Sequence, residues 1–150
     1  MVDQVFPYTQ MVSPEQPIEI LIFDTQHETL NGETTAFFTP GGMRGCICIY
    51  RMQEENISPI PVLLHELGYL LHIRGTGAMD QVPPSFVTCL RHLGAQTDAL
   101  SIPQLQDVFA DTFMLAVLSE NPELEVPIPE SSDQVLRASY QNTYRHFLMK

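Results

Sequence analysis

The segment from Ser58 to Ile73 constrains the fold more than any other part of the chain. Ser58 followed by Pro59 reads as an N-cap with proline at the first helical position, and from Val62 onward Gly68 is the only breaker. Leu63, Leu64, Leu67, Leu70 and Leu71 fall on one stripe at helical spacing, while His65, Tyr69 and His72 fall together on the opposite face. A helix with so continuous a leucine stripe must bury it against a second layer. The same helix then holds its imidazoles and phenol on a different side from its packing face.

The second layer is legible upstream. Ile18, Ile20 and Ile22 alternate with Glu19, Leu21 and Phe23, a period of two that predicts a strand. Asn31-Gly32 predicts a tight hairpin turn, Thr34 to Thr39 is rich in β-formers, Pro40-Gly41-Gly42 breaks the chain, and Gly45 to Tyr50 resumes as an apolar strand. Downstream, Ser85 to Leu93 predicts a short helix. Ser101 with Gln104 has capping-box spacing ahead of an apolar stripe that runs to about Leu118. Asp107 and Asp111 lie one turn apart on that helix, on a face that also carries Met114 and Leu118, and two carboxylates among apolar residues require partners. Residues 121–132 read as an acidic, proline-containing connector, and a final helix is expected from Ser132 with Val135, Leu136, Tyr140, Tyr144 and Phe147 on its packing face. The expected fold is α+β, a single domain over 1–150: a small, mainly antiparallel sheet packed against the His65 helix and two or three further helices.

Charge excludes one class of function. With 7 Lys+Arg against 18 Asp+Glu the net charge is −11, which repels the phosphate backbone, so direct nucleic-acid binding is rejected. The longest apolar stretch, Phe113 to Leu118, is too short to span a bilayer, and the N-terminus shows no basic segment leading into an apolar run. Three cysteines, with Cys46 and Cys48 two apart, suit neither a disulfide framework nor a zinc ribbon, and a reducing cytoplasm is the expected compartment. Cys46, Cys48, Cys89, His27, His92 and His146 have no ligand spacing to one another and take no role. Asp107 and Asp111 do not signal glycoside chemistry, since nothing flanks them as a sugar platform and the chain has no Trp.

Val62 to His72 is similar to the His-Glu-x-x-His helix of zinc peptidases, in which two histidines one turn apart bind the metal and the glutamate acts as general base. The first histidine and the glutamate are His65 and Glu66, but Tyr69 stands at the position of the second histidine. Together with the strand at Gly45 to Tyr50 and the later Asp107-x-x-Ala110-Asp111-x-Phe113 helix, the segment from roughly Thr34 to Pro122 resembles the ImmA/IrrE-type metallopeptidases, gluzincin-like proteins of bacteria and phages.

The resemblance implies a zincin-like domain with metal positions at His65, Tyr69 and Asp107, Glu66 as catalytic base, and Asp111 supporting a histidine from behind. Zinc is the ion it implies, and a transcriptional regulator is the protein target it implies. Two of the three ligand positions depart from the pattern. A phenol with ordinary pKa near 10 is a poor ligand at neutral pH, and Asp107, one methylene shorter than the family's Glu, leaves an unadjusted site roughly 1.5 Å short. His72 lies about 10.5 Å from His65 along the axis, too far to replace the missing ligand, and is expected to cap carbonyls at the helix end or to sit at the surface. Three readings follow: a scaffold with a weakened or lost metal site that binds a regulatory protein; an active metal-dependent endopeptidase that cleaves a repressor-like protein; and a structural or assembly protein in which the motif is coincidental.

Overall fold

The β-prone first third forms three strands, β1 (Ile18–Ile22), β2 (Gly32–Thr39) and β3 (Gly42–Ile49). They belong to a computed structural model that describes residues 18–52, 58–92, 94 and 96–126. β3 is central. It alternates strictly, sending Met43, Gly45, Ile47 and Ile49 inward, because a strand paired on both edges and covered on one face buries every second residue. β2 pairs with it antiparallel, from Gly32 opposite Ile49 to Thr39 opposite Gly42, and β1 pairs with it parallel, from Ile18 opposite Gly45 to Ile22 opposite Ile49.

The α+β class holds, and the sheet is mixed. Asn31-Gly32 is not a hairpin turn: in the order β1-β3-β2 the strands on either side of it occupy opposite edges, so the chain crosses the end of the sheet there and Gly32 begins β2. The tight connection is instead Pro40-Gly41, closed by the Thr39 hydroxyl donating to the Gly42 carbonyl at 2.9 Å. Gly42 has φ 121°, a backbone conformation that favours glycine.

Three helices follow: α1 (Ile60–Thr76), α2 (Pro84–His92) and α3 (Ile102–Glu120). α1 starts just past Pro59 with Pro61 in its first turn, and the Ser58 hydroxyl accepts from the Ile60 N–H at 3.2 Å. It ends at Gly77, whose positive φ closes a bond back to Ile73. α3 begins with the full capping box, Ser101 accepting from Gln104 N–H and the Gln104 side chain accepting from Ser101 N–H. The leucine stripe of α1 is buried between the sheet and α3, where Leu63, Leu64, Leu67 and Leu70 meet Ile47, Ile49, Phe113 and Val117. A smaller cluster of Val82, Phe86, Leu90, Leu105 and Phe109 fixes α2 against the start of α3. Among the described residues no helix is long and apolar enough to cross a membrane. The helix expected from Ser132 lies outside the described residues.

Candidate functional site

Two close approaches put the polar face of α1 where it is. A Cβ at Gly45 would lie 2.8 Å from Leu70 Cδ1, so glycine lets α1 settle onto the sheet. A Cβ at Gly68 would lie 2.7 Å from Ala110 Cα, so α1 and α3 meet nearly backbone to backbone. His65 pairs with Asp111 and Tyr69 with Asp107, one turn forward on α1 for one turn back on α3, so the helices run antiparallel. The carboxylates that required partners find them on the face of α1 opposite its leucines.

His65 Nδ1 lies 2.7 Å from Asp111 Oδ1. A carboxylate can only accept, so Nδ1 carries the proton and Nε2 turns toward Asp107, 3.8 Å from its Oδ1. Burial lowers the His65 pKa, but the hydrogen bond and charge of Asp111, helped by Glu66 and Asp107, outweigh it and hold the imidazole above its ordinary value. The Tyr69 hydroxyl donates to the same Asp107 Oδ1, and the Tyr69 ring meets His65 edge to face. Burial raises the Asp107 carboxyl, with His65 opposing and Asp111 reinforcing the shift.

Glu66 faces β2 from the next position of α1. It is buried, and the Thr34 hydroxyl donates to its carboxylate. Burial nevertheless pushes its pKa up. Glu66, His65, Tyr69 and Asp107 line one cavity of about 420 Å³, closed on the sheet side by Glu33 and Thr34. A second hollow of about 310 Å³ adjoins it across Leu30, Gly32, His65 and Glu66, so the cleft is elongated.

His72 departs from expectation. It is 1% exposed, neither at the surface nor capping carbonyls, because α1 runs a further turn to Thr76 and the helix end is closed by Gly77. Its ring packs edge-on against Tyr69 and Phe109 and lines the same cavity. Neither ring nitrogen has a hydrogen-bond partner, although the Gln81 backbone lies close enough to favour the protonated ring slightly. Burial dominates and pushes its pKa down to about 4. No local pattern marks Thr34 as the partner of Glu66 or Glu33 as part of the cleft rim, since both depend on how β2 lies against α1.

The donor set does not fit a tetrahedral zinc ion. His65 Nε2 and Asp107 Oδ1 lie 3.8 Å apart, and the Tyr69 hydroxyl, at the position of the second histidine, donates to that oxygen. Among the described residues no three His, Cys, Asp or Glu side chains group to hold a metal ion. What the cleft offers is carboxylate oxygens turned to a cavity, with an aromatic ring and an unpartnered imidazole beside them.

Comparison with family models, with curated proteins and with solved structures gives no match.

Proposed function

We propose that this chain is a metallopeptidase-like scaffold of the ImmA/IrrE type whose metal site has lapsed, and that its cleft between β2 and α1 binds a protein partner, a transcriptional regulator. The observation that carries this reading is the hydrogen bond from Tyr69 to Asp107: the two altered ligand positions satisfy each other, which leaves His65 as the one unaltered donor. The elongated cleft beside an edge strand suits a segment of chain better than a compact metabolite.

A second reading, a metal-dependent endopeptidase cleaving a repressor-like protein, draws on a different observation. Glu66 is retained in the cavity, and His65 Nδ1 is held by Asp111 as ligating histidines are held from behind. One experiment separates the two. The isotope-labelled protein is screened by NMR against short unstructured peptides, with and without a chelator. Binding that maps to β2, α1 and α3 and survives the chelator is the expected result. Peptide cleavage that the chelator stops and Glu66→Gln abolishes contradicts the first reading and establishes the second.

A further inference from the structure

The cleft is acidic in a way that the bonds within it do not resolve. Glu33, Glu66 and Asp107 line the cavity, and no Lys or Arg is among its lining residues. Each of the three carboxylates accepts one hydroxyl, from Tyr50, Thr34 and Tyr69 respectively. A neutral hydroxyl does not offset a carboxylate's charge, and a carboxylate can accept several bonds. His65 lies beside them, but its Nδ1 proton is already directed to Asp111.

An acidic cluster is common on a protein of net charge −11, but His72 is a separate matter. An imidazole 1% exposed, with both nitrogens unpartnered, is unfavourable unless something else hydrogen-bonds it. Neutral imidazole always keeps one acceptor nitrogen, and since both His72 nitrogens lie beneath the cavity surface the ring turns toward the cavity to receive an N–H. The same cavity is also lined by Leu30, Ile73 and Met79, apolar surface reaching from the rim to the carboxylates. It thus presents an apolar wall, an aromatic ring, several carboxylate oxygens and an imidazole, with no Lys or Arg among them.

We propose that the cleft takes an arginine side chain of the bound protein segment, its guanidinium set among Glu66, Asp107 and His72 and its methylene stem along Leu30 and Met79. This rests on the protein-binding reading above and names the chemistry of the partner. Arginine fits better than lysine. Its planar fork donates to two carboxylates and an imidazole at once, it stacks on a ring such as Tyr69, and it gives up its hydration more readily than an ammonium. A divalent metal fits worse, since among the described residues no three His, Cys, Asp or Glu side chains group to hold one. The guanidinium brings to these carboxylates the positive charge that the lapsed site no longer holds.

The test uses the full chain and four short peptides, identical except for a central arginine, citrulline, lysine or alanine. Citrulline keeps the shape of arginine without the charge, so the decisive comparison changes nothing in the protein. Binding is followed by NMR through the amides of β2 and α1 and the ring C–H signals of His65 and His72. The arginine peptide is expected to bind about tenfold more tightly than the citrulline peptide and to shift the His72 ring signals. It is expected to weaken with added salt and, severalfold, with Glu66→Gln, Asp107→Asn or His72→Leu, each checked for folding by circular dichroism. If arginine, citrulline and alanine peptides bind the cleft equally, the protein-binding reading stands and the arginine assignment falls. Equal binding of lysine and arginine also overturns it. If no peptide binds at the cleft, both fall.

Discussion

Gly68→Ala sets two opposed effects against each other, and the structure fixes which wins. In an isolated helix the change would stabilise by about 1 kcal/mol, since alanine is the best helix former and glycine among the worst. Here the added Cβ meets Ala110 Cα at 2.7 Å, its carbonyl oxygen at 3.0 Å and its carbonyl carbon at 3.3 Å. These are backbone atoms of a packed helix, not a side-chain tip that can swing away. Restoring ordinary contact near 3.5–4.0 Å requires α1 and α3 to separate locally by about 1 Å, and overpacking of this kind costs about 1–3 kcal/mol. The same separation carries His65 Nδ1 and Asp111 Oδ1 from 2.7 Å past hydrogen-bond range.

The expected net effect is destabilisation of about 1–2 kcal/mol, a fall in Tm of several degrees. The His65 pKa also falls, because burial, the largest influence on it, is no longer outweighed by Asp111. Thermal unfolding followed by circular dichroism and an NMR titration of the His65 ring measure the two. A variant as stable as the wild type or more so, with the His65 titration unchanged, refutes the close crossing of the helices and with it the geometry of the site.

His72→Leu removes two unpartnered buried nitrogens and is expected to stabilise the protein at neutral pH by about 1–3 kcal/mol while weakening the cleft, as measured by denaturant unfolding. With a folded-state pKa of about 4 against an ordinary 6.5, His72 costs stability as pH falls between those values, because the unfolded chain protonates first. His65, Glu66 and Asp107 have raised values and act in the opposite direction, so the clean readout is the difference between variant and wild type, which widens by about 3 kcal/mol across that window. A constant difference would contradict the burial of His72. Thr34→Val deletes the donor to a buried carboxylate and is expected to raise the Glu66 pKa further and to lower stability by about 1–3 kcal/mol, read by carboxyl NMR and unfolding. Glu33→Gln is expected to bring the Tyr50 phenol down from about 12 toward 10 in an ultraviolet titration, since the Glu33 hydrogen bond is the first cause of its shift.

What could be read from the chain, and what could not, divides by the range of the forces involved. The capping box at Ser101 and Gln104 and the leucine stripe of α1 are local patterns, and both stand in the structure as their spacing predicts. That Asp107 and Asp111 need partners is also a local inference, from two charges on an apolar helix. Which partners they find is not, because it depends on Gly68 and Ala110 meeting forty-two positions apart. The turn at Asn31-Gly32 misleads for the same reason: its residues suit a hairpin, but β3 takes β1 on one edge and β2 on the other, and pairing across the sheet overrides local turn preference. The burial of His72 followed neither from spacing nor from composition. It depends on Tyr69 and Phe109 closing around the ring, a contact between two helices.

If, as proposed, Tyr69 and Asp107 stand at the ligand positions of a lapsed metal site, the backbone around them still brings those positions together. Zinc titration of the wild type, Tyr69→His, and Tyr69→His with Asp107→Glu tests it most directly, each repeated with His65→Ala. Weak binding by the wild type is expected, with a gain on restoring a second imidazole one turn from His65, a further gain on lengthening the third ligand, and loss of both gains without His65. Near-stoichiometric zinc on the wild type that depends on His65 contradicts the lapsed site. A folded double variant that binds zinc no better than the wild type contradicts the surviving geometry.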